Sequence, residues 1–276
     1  MRLGISSLGH LVDKALRGKF KSMVELLFNS IEASLNFAER YDIEVVEIIL
    51  DPPEIYNKKE RDNIIDLCNA YSIEKQVHAP FTDVSLCSFN QNISDATVKS
   101  CIDAAEFCQQ IGAEILTVHP GVGHFLIKKV REFNNLQLVS ATNKLLDATS
   151  QFNVKVCMEN MPKDAHMLGN VEVIRSFLSR SDRDDIYFTF DTSHAWTTDM
   201  NQDLYWKNFH SLIKNVHLAD NNNKDTDLHP ALGDGKVDFS KILNLANEFN
   251  YEGVFIIEII TGRALRRSIK YINSLI

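Results

Sequence analysis

The segment Ile186-Tyr187-Phe188-Thr189-Phe190-Asp191 shows the pattern that decides the fold of this 276-residue chain. Its first five residues are apolar or favour extended structure, which is typical of a strand covered on both faces in a parallel sheet. The run ends on a carboxylate and continues directly into the polar stretch Thr192-Ser193-His194. A buried strand that stops at a potential ligand predicts a site at the carboxyl edge of the sheet.

The same alternation of short apolar runs and longer amphipathic stretches recurs along the chain. The predicted strands are Leu3–Ser7, Glu44–Leu50, Glu74–His78, Glu114–His119, Val154–Glu159, Ile186–Asp191, Asn215–Ala219 and Val254–Ile259. The predicted helices are Met23–Tyr41, Lys58–Tyr71, Asp95–Ile111, Gln137–Phe152, Val171–Leu178, Asn201–Leu212, Phe239–Phe249 and Ala264–Leu275. Eight alternating units favour a closed ring of parallel strands over an open sheet. The predicted fold class is therefore α/β, a single (β/α)8 TIM barrel that spans residues 1–276 as one domain.

Composition places few limits on this interpretation. The chain is 45% hydrophobic and 24% charged, which is ordinary for a globular protein. No apolar stretch approaches the roughly 20 residues that a membrane span needs. The N-terminal stretch Met1–Leu8 has the pattern of a first strand and not of a signal peptide, so we expect a cytoplasmic protein with no membrane partner. An odd number of cysteines, five, without a Cys-x-x-Cys pair argues against a disulfide framework.

Potential metal ligands lie at or near the predicted boundaries between strands and loops. These residues are His78, His119, Glu159, Asp191, His194, His217, Asp227, His229 and Glu258. Imidazole and carboxylate ligands suit zinc or manganese, and nine such groups exceed what one ion can use. Because the carboxyl ends of barrel strands meet around one axis, ligands distant in sequence would converge there. The sequence predicts two or three Zn²⁺ ions, with Mn²⁺ or another divalent ion as the alternative.

Two of these ligands lie in the longest irregular stretch, Asn221–Val237. A loop of this length in a compact domain is usually functional. Asp227 and His229 are two residues apart, which in an extended segment places both side chains on the same side. Asp191 and His194 are three residues apart across a predicted strand end, and this spacing allows them to face different ions.

The net charge of −8 at first disfavours a nucleic-acid partner. However, the site contributes four of these charges, and three divalent ions would add six positive charges and bring −8 to −2. The charge of bound ions belongs in any electrostatic account of a metal site. Net charge therefore does not exclude nucleic acid.

Several stretches of the chain resemble the xylose isomerase-like TIM barrels, the superfamily that holds endonuclease IV together with sugar isomerases and epimerases. The stretches are Val77-His78-Ala79-Pro80, Thr117-Val118-His119-Pro120-Gly121, Cys157-Met158-Glu159-Asn160, Phe190-Asp191-Thr192-Ser193-His194-Ala195, Val216-His217-Leu218-Ala219-Asp220, Asp227-Leu228-His229, Leu232-Gly233-Asp234-Gly235 and Ile257-Glu258. In endonuclease IV the equivalent positions bind three zinc ions. The resemblance implies that His78, His119 and Glu159 hold the first ion. It further implies that Glu159 bridges to a second ion held by Asp191, His217 and Glu258, and that His194, Asp227 and His229 hold the third.

The resemblance implies two enzymatic functions. The first is that of an AP endonuclease in DNA repair, a zinc-dependent hydrolase that cleaves phosphodiesters at abasic sites in damaged DNA. The alternative is a sugar or sugar-phosphate isomerase or epimerase, which needs one divalent ion held by Glu159, Asp191, His217 and Glu258. Glu159 and Glu258 are the expected catalytic residues in both. The larger ligand set favours the hydrolase, because several ions together stabilise charge on a phosphate. A barrel that binds metal without turnover is a third hypothesis, disfavoured because unused buried carboxylates are costly.

Two loops depart from the endonuclease pattern. Met161-Pro162-Lys163-Asp164 replaces a Gly-rich loop after Glu159-Asn160, and the acidic Asp51-Pro52-Pro53-Glu54 follows the second strand where a DNA-facing loop would be basic. Both departures favour the sugar alternative. Candidate contacts to phosphates are Lys163, Lys224, Lys236 and Arg263, and candidate wedges or pocket walls are Phe81, Phe89, Phe125 and Trp196.

Overall fold

Parallel strands form a closed barrel in the computed structural model of the chain, which describes residues 1–51 and 58–276. Within these residues the strands are β1 (Arg2–Ser6), β2 (Val45–Ile49), β3 (Glu74–His78), β4 (Ile115–Val118), β5 (Lys155–Glu159), β6 (Tyr187–Asp191), β7 (Ile213–Leu218) and β8 (Val254–Ile257). Each strand pairs with the next in sequence, and β8 closes the ring on β1. The predicted (β/α)8 barrel is confirmed.

Helices connect the strands and cover the outside of the barrel. In the described part of the chain they are α1 (Leu8–Arg17), α2 (Met23–Tyr41), α3 (Lys58–Asn69), α4 (Gln91–Ile111), α5 (Arg131–Thr149), α6 (Val171–Ser181), α7 (Thr192–Thr197), α8 (Gln202–Phe209), α9 (Phe239–Glu248) and α10 (Leu265–Asn273). Each of the predicted helices is present, with ends shifted by up to six residues. The helices α1 and α7 were not among them.

The unpredicted α1 contains Gly9 in its first turn, and glycine has a low intrinsic tendency to form helix. The position of α1 in the fold explains why glycine is present here. A Cβ atom at position 9 would lie 2.8 Å from the backbone nitrogen of Gly262 and 2.9 Å from the carbonyl oxygen of Ile259. The glycine therefore allows α1 to approach the segment after β8 closely, a tertiary contact that no local pattern indicates.

The interior of the barrel consists of layers, because alternate residues of each strand point inward. A small apolar cluster of Val45, Val254 and Ile256 fills one level. Above it lies a buried polar layer of Glu47, Gln76, Thr117, Thr189 and Asn215. The next inward residues, two positions further along these and neighbouring strands, include His78, Glu159, Asp191, His217 and Glu258. Ligand-type residues thus occupy the carboxyl end of the barrel.

The main hydrophobic core lies between the outer face of the sheet and the helices, with Phe107, Phe177, Phe190 and Trp206 among its largest buried side chains. All of the cysteines are buried with free thiols. Among the helices of residues 1–51 and 58–276, none has the length and apolar character that crossing a membrane requires.

Candidate metal centre

A first group of ligand atoms forms where β3, β4 and β5 end. Nε2 of His78 and Nε2 of His119 lie 3.2 Å apart. The Oε2 atom of Glu159 lies 2.8 Å from Nε2 of His119 and 3.5 Å from Nε2 of His78. His78 and Glu159 are buried, and His119 is partly exposed. Three ligand atoms from three strands therefore converge on one point.

The spacing of these atoms fits a tetrahedral ion. Bonds of about 2.0–2.1 Å to zinc separate the ligand atoms of a regular tetrahedron by roughly 3.3–3.4 Å, and the observed separations are 2.8, 3.2 and 3.5 Å. Although Glu159 Oε2 is buried and close to both imidazoles, it lacks hydrogen-bond geometry to any partner within the described residues. The ligand atoms of His78, His119 and Glu159 therefore fit the coordination of a zinc-like cation better than they fit hydrogen bonds to one another.

A second group shares Glu159 with the first. Its members are Glu159, Asp191, His217 and Glu258, all of which are buried. Nδ1 of His217 lies 3.0 Å from Glu159 Oε1 and 2.8 Å from Glu258 Oε2. Because Oε2 of Glu159 faces the first group and Oε1 faces the second, this carboxylate has the arrangement of a bridging ligand.

A third group lies beside the second and shares Asp191 with it. The group combines Asp191, His194 and His229. Asp227 lies against both histidines, with its carboxylate oxygens 3.0 Å from Nε2 of His194 and 2.9 Å from Nε2 of His229. The structure thus places Asp191 as well as Asp227 beside these imidazoles. All nine residues singled out in the sequence meet at the barrel mouth.

Hydrogen bonds on the far side of three imidazoles orient them. Nδ1 of His78 lies 2.7 Å from the carbonyl oxygen of Ala79, and Nδ1 of His194 lies 2.7 Å from that of Asn160. A carbonyl oxygen only accepts, so each Nδ1 donates and each Nε2 is left with a lone pair towards the ligand group. His217 is reversed, since its Nε2 lies 3.0 Å from Glu47 and its Nδ1 faces the site.

Glu47 is a residue of this site that the sequence analysis missed. It lies in the middle of β2, in the apolar run Val45-Val46-Glu47-Ile48-Ile49, and its side chain is fully buried inside the barrel. Its Oε2 atom accepts hydrogen bonds from Gln76 Nε2 at 2.9 Å and from Asn215 Nδ2 at 3.1 Å. A charged residue in a fully apolar strand was the available indication, because buried carboxylates are rare without a partner.

A clamp centred on Asp220 holds the long loop that carries Asp227 and His229. The carboxylate accepts hydrogen bonds from the backbone N–H groups of Asn221, Gly233, Gly235 and Val237. A Cβ atom at position 235 would lie 2.1 Å from Asp220 Oδ1, so glycine is required there.

The backbone at His229 is held in an uncommon conformation, with φ at 43°. Left-handed conformations cost a non-glycine residue on the order of 1–2 kcal/mol, and such strain concentrates at functional sites. The carbonyl oxygen of His229 accepts a hydrogen bond from Ile260 N at 3.0 Å, which fixes the loop against the segment after β8. Asp227 is held in turn by Ser193 Oγ, at 2.8 Å from its Oδ1.

The site gathers negative charge where water does not reach. Burial raises the pKa of Asp191 to about 7. Burial opposes the charged form of His217, but the carboxylates of Glu47, Glu258 and Glu159 outweigh it, so the pKa of His217 lies well above its ordinary value. The adjacent His217 also outweighs burial at Glu258 and lowers the pKa of that carboxyl to about 2. Such a cluster needs positive charge, which either protons or divalent ions supply.

A protein-family model described as xylose isomerase-like TIM barrel matches residues 35–275. The chain belongs to this family. Two relatives illustrate its range. An uncharacterized protein of Methanocaldococcus jannaschii is 28% identical over 243 residues, which cover 86% of this chain and 82% of that protein. A probable endonuclease 4 of Mycoplasma mycoides subsp. mycoides is 26% identical over 266 residues, which cover 88% of this chain and 89% of that protein.

Among solved structures, a D-tagatose 3-epimerase-like protein is 25% identical, with a TM-score of 0.83 and coverage of 100% of this chain and 97% of that one. The xylose isomerase-like TIM barrel family thus connects this chain both to a protein named as an endonuclease and to one named as epimerase-like. These likenesses support an enzyme and leave its reaction class to the chemistry of the site.

Residues around the mouth bear on the choice of substrate. Lys163 pairs with Asp225 at 2.7 Å, and Lys224 pairs with Asp199 while its Nζ lies 4.0 Å from the ring centroid of Trp196. Two candidate phosphate contacts therefore have their charge compensated in this structure. Phe81 packs against His78 and His119, with ring centroids 5.2 and 5.5 Å apart.

Two candidate aromatic contacts and the acidic loop after β2 differ in exposure. Phe89 and Phe125 are 51% and 70% exposed on loops after β3 and β4. Of the acidic loop Asp51–Glu54, Pro52, Pro53 and Glu54 lie outside the described residues. Asp51 is buried and accepts from Thr82 N at 2.9 Å. Asp51 therefore does not contribute an exposed negative charge to the mouth.

Proposed function

We propose that this chain is a multinuclear, zinc-dependent hydrolase that cleaves phosphodiester bonds at abasic sites in DNA. The observation that supports the proposal is the third ligand group. Asp191, His194 and His229, with Asp227 against them, adjoin a four-residue group that alone provides enough ligands for one ion. An isomerase that uses one ion has no need of the additional histidines, whereas phosphate chemistry gains from several ions.

The proposed ligands divide among three ions. His78, His119 and Glu159 would hold the first, Glu159, Asp191, His217 and Glu258 the second, and His194, Asp227 and His229 the third. Ions at these places would activate a water molecule as nucleophile and stabilise the negative charge that builds up on a phosphate. In the overall reaction the oxygen of water bonds to phosphorus and the bond from phosphorus to the 3′ oxygen breaks, which leaves a 3′-hydroxyl group.

The protein's own groups have defined tasks in this proposal. Glu159 keeps the first two groups at a fixed separation, since its two oxygens face different imidazoles, and Asp191 does the same for the second and third. We assign to Glu258, which is 5% exposed, the exchange of a proton with a bound water or a leaving oxygen. The exposed Phe89 and Phe125 are candidates for contact with the gap in an abasic duplex.

A sugar or sugar-phosphate epimerase is the second candidate. Two observations favour it: the likeness to a D-tagatose 3-epimerase-like structure and the pairing of Lys163 and Lys224 with aspartates. In this function one ion held by Glu159, Asp191, His217 and Glu258 would polarise a carbonyl and a neighbouring hydroxyl. The two glutamates would then remove and return a proton on carbon.

One experiment distinguishes the two candidates. Zinc-loaded protein is incubated with a duplex that contains one tetrahydrofuran abasic analogue, and separately with ketoses in deuterium oxide. We expect incision on the 5′ side of the analogue, lost on chelation and weakened steeply by salt because phosphate contacts release counterions. The undamaged duplex is the control.

A different pattern of activities would contradict the proposal. Intact abasic duplex at low salt, together with deuterium incorporation into a ketose by the same zinc-loaded sample, would establish the epimerase instead. Activity on neither substrate in a fully loaded sample would reject both.

A further inference from the structure

Glu47 lies inside the barrel and contacts Nε2 of His217, the ring nitrogen that faces away from the other candidate ligand atoms. We propose that Glu47 is a positioning residue for the second ion: it accepts a hydrogen bond from the Nε2–H group of His217 and so directs the Nδ1 lone pair towards the position between Glu159, Asp191 and Glu258 that this ion would occupy. This inference rests on the proposed metal-dependent function, but it concerns an ion that the hydrolase and the epimerase both need.

The geometry of His217 carries the inference. Its Nε2 lies 3.0 Å from Glu47 Oε2, while its Nδ1 lies 3.0 Å from Glu159 and 2.8 Å from Glu258. A carboxylate accepts and does not donate. An imidazole with its proton on Nε2 satisfies Glu47 and leaves Nδ1 free as a ligand, whereas the other tautomer would point an N–H group at the centre.

Glu47 is itself held in place by the polar layer. Gln76 and Asn215 donate to the same oxygen that His217 contacts, at 2.9 and 3.1 Å. Asn215 also donates to Thr117 Oγ1 at 3.3 Å, and Thr117 bonds Thr189 at 2.8 Å. This network joins strands on opposite sides of the barrel, so the carboxylate cannot turn away from His217 without breaking several buried hydrogen bonds.

The arrangement is that of a carboxylate, a histidine and a metal in series. Such a carboxylate fixes the tautomer and ring orientation of the ligand and raises its basicity, and its removal typically lowers metal affinity about 10–100-fold. A purely structural carboxylate would affect the stability of the barrel but would not affect one ion selectively.

The test compares zinc affinity in Glu47→Gln and in the wild type, by competition with a chelator of known affinity. Gln keeps the volume and loses the charge. We expect the affinity for one ion to fall about 10–100-fold, with the affinities of the remaining ions unchanged. Thr142→Val is the control: it alters a buried polar side chain of α5, outside the hydrogen-bond network of Glu47 and His217, and all ions should bind as before.

A second measurement uses the wild-type protein, so it does not depend on whether a variant folds. In the zinc-loaded protein with ¹⁵N-labelled histidine, long-range ¹H–¹⁵N correlations should show the His217 proton on Nε2 and none on Nδ1. A proton on Nδ1, or unchanged affinity for every ion in Glu47→Gln, would overturn the role of Glu47 while zinc binding itself stands. Failure of the wild type to bind zinc would instead overturn the proposed function and this inference with it.

Discussion

Glu159 and Asp191 are the residues that turn separate ligand groups into one centre. Glu159 belongs to the first and second groups, and Asp191 belongs to the second and third. Asp191 also caps α7, because its Oδ1 accepts from the backbone N–H of His194 at 2.6 Å. Its Oδ2 is buried without a hydrogen-bond partner among the described residues, and a metal ion would satisfy it. The Asp191 carboxylate thus caps α7 with one oxygen and leaves the other available to an ion.

Asp227 and His229 are among the residues that the proposed hydrolase needs and a one-ion epimerase does not. We expect the double variant Asp227→Ala/His229→Ala to remain folded, to lose one ion, and to lose phosphodiesterase activity by on the order of 100-fold or more, as when a major electrostatic stabiliser of a transition state is removed. Metal analysis together with incision rates measures this. Near-full incision by the double variant would refute the role of the third ion.

A matched comparison uses Glu258→Gln. Under either function it should abolish turnover by removing an acid–base group, while a ketose-dependent activity that survives in the double variant would favour the epimerase. The double variant therefore distinguishes the two proposals, whereas Glu258→Gln gives the same loss of turnover under both.

Protonation of His229 gives the metal-free protein a defined dependence on pH. Burial opposes its charge, but Asp227 outweighs it and the pKa of His229 rises to about 9, above its ordinary value of 6.5. A raised pKa contributes stability that is full below about pH 6.5 and lost as the pH rises to about 9. Chelated protein should therefore become less stable between these values in denaturant unfolding.

Two controls define that prediction. His229→Asn should flatten the decline, and zinc should remove it because the ion replaces the proton as the positive partner of Asp227. A metal-free wild type whose unfolding free energy rises across the same pH range would contradict the assigned charge state.

For single residues, the sequence predicts that the candidate ligands meet at the barrel mouth, but it does not predict the residues that support them. His119, Glu159 and Asp191 each end a recognisable apolar run, so their placement follows from the geometry of a barrel. Glu47 lies within such a run, and its partners Asn215 and His217 are 168 and 170 residues away in sequence. Only closure of the ring brings them together.

At the scale of elements, the irregular stretch after β7 is positioned by one side chain. Asp220 accepts from backbone N–H groups at both ends of the loop, including Asn221 and Val237. Asn221 Nδ2 in turn bonds Ser193 Oγ at 3.0 Å, and Ser193 donates to Asp227. The loop is therefore a folded support for two ligands.

Asp220→Ala should release this loop while the barrel persists. We expect faster amide exchange across residues 221–237 and loss of the third ion, since buried backbone donors would lose their acceptor at about 1–3 kcal/mol each. Hydrogen exchange and metal analysis measure the two effects. Asp238→Ala is the matched control: it removes the cap of α9, which accepts from Lys241 N at 3.0 Å, at a cost of about 0.5–2 kcal/mol. Full zinc content and unchanged loop exchange in Asp220→Ala would contradict the clamp.

The elements that the sequence did not predict depend on tertiary context. The short helix α7 directly follows the predicted strand end at Asp191, where no helix was predicted, and the Asp191 side chain caps it. Helix α5 begins at Arg131, six residues before its predicted start at Gln137, and includes Asn134 and Asn135, a residue type that favours caps over helix interiors. Asn134 is buried there and bonds both His124 N and Cys87 O.

For the whole molecule, we expect metal binding and folding to be coupled. The proposed ligands lie in or directly after β3 to β8, in α7 and in the loop after β7, so an ion held by them would bind the folded chain and not the unfolded one. Free zinc at 1,000 times its dissociation constant would stabilise the fold by about 4 kcal/mol for one site. We expect chelation to lower Tm by several degrees, and calorimetry with and without chelator measures this. An unchanged Tm would contradict structural coupling between ions and barrel.

In the proposed function, one barrel mouth holds more ions than an isomerase needs. Protein purified without chelator and loaded with zinc should contain three ions per chain, measured by elemental analysis and located by anomalous scattering at the groups that share Glu159 and Asp191. One ion or fewer in zinc-replete protein, held only by Glu159, Asp191, His217 and Glu258, would contradict the account and leave the one-ion epimerase in its place.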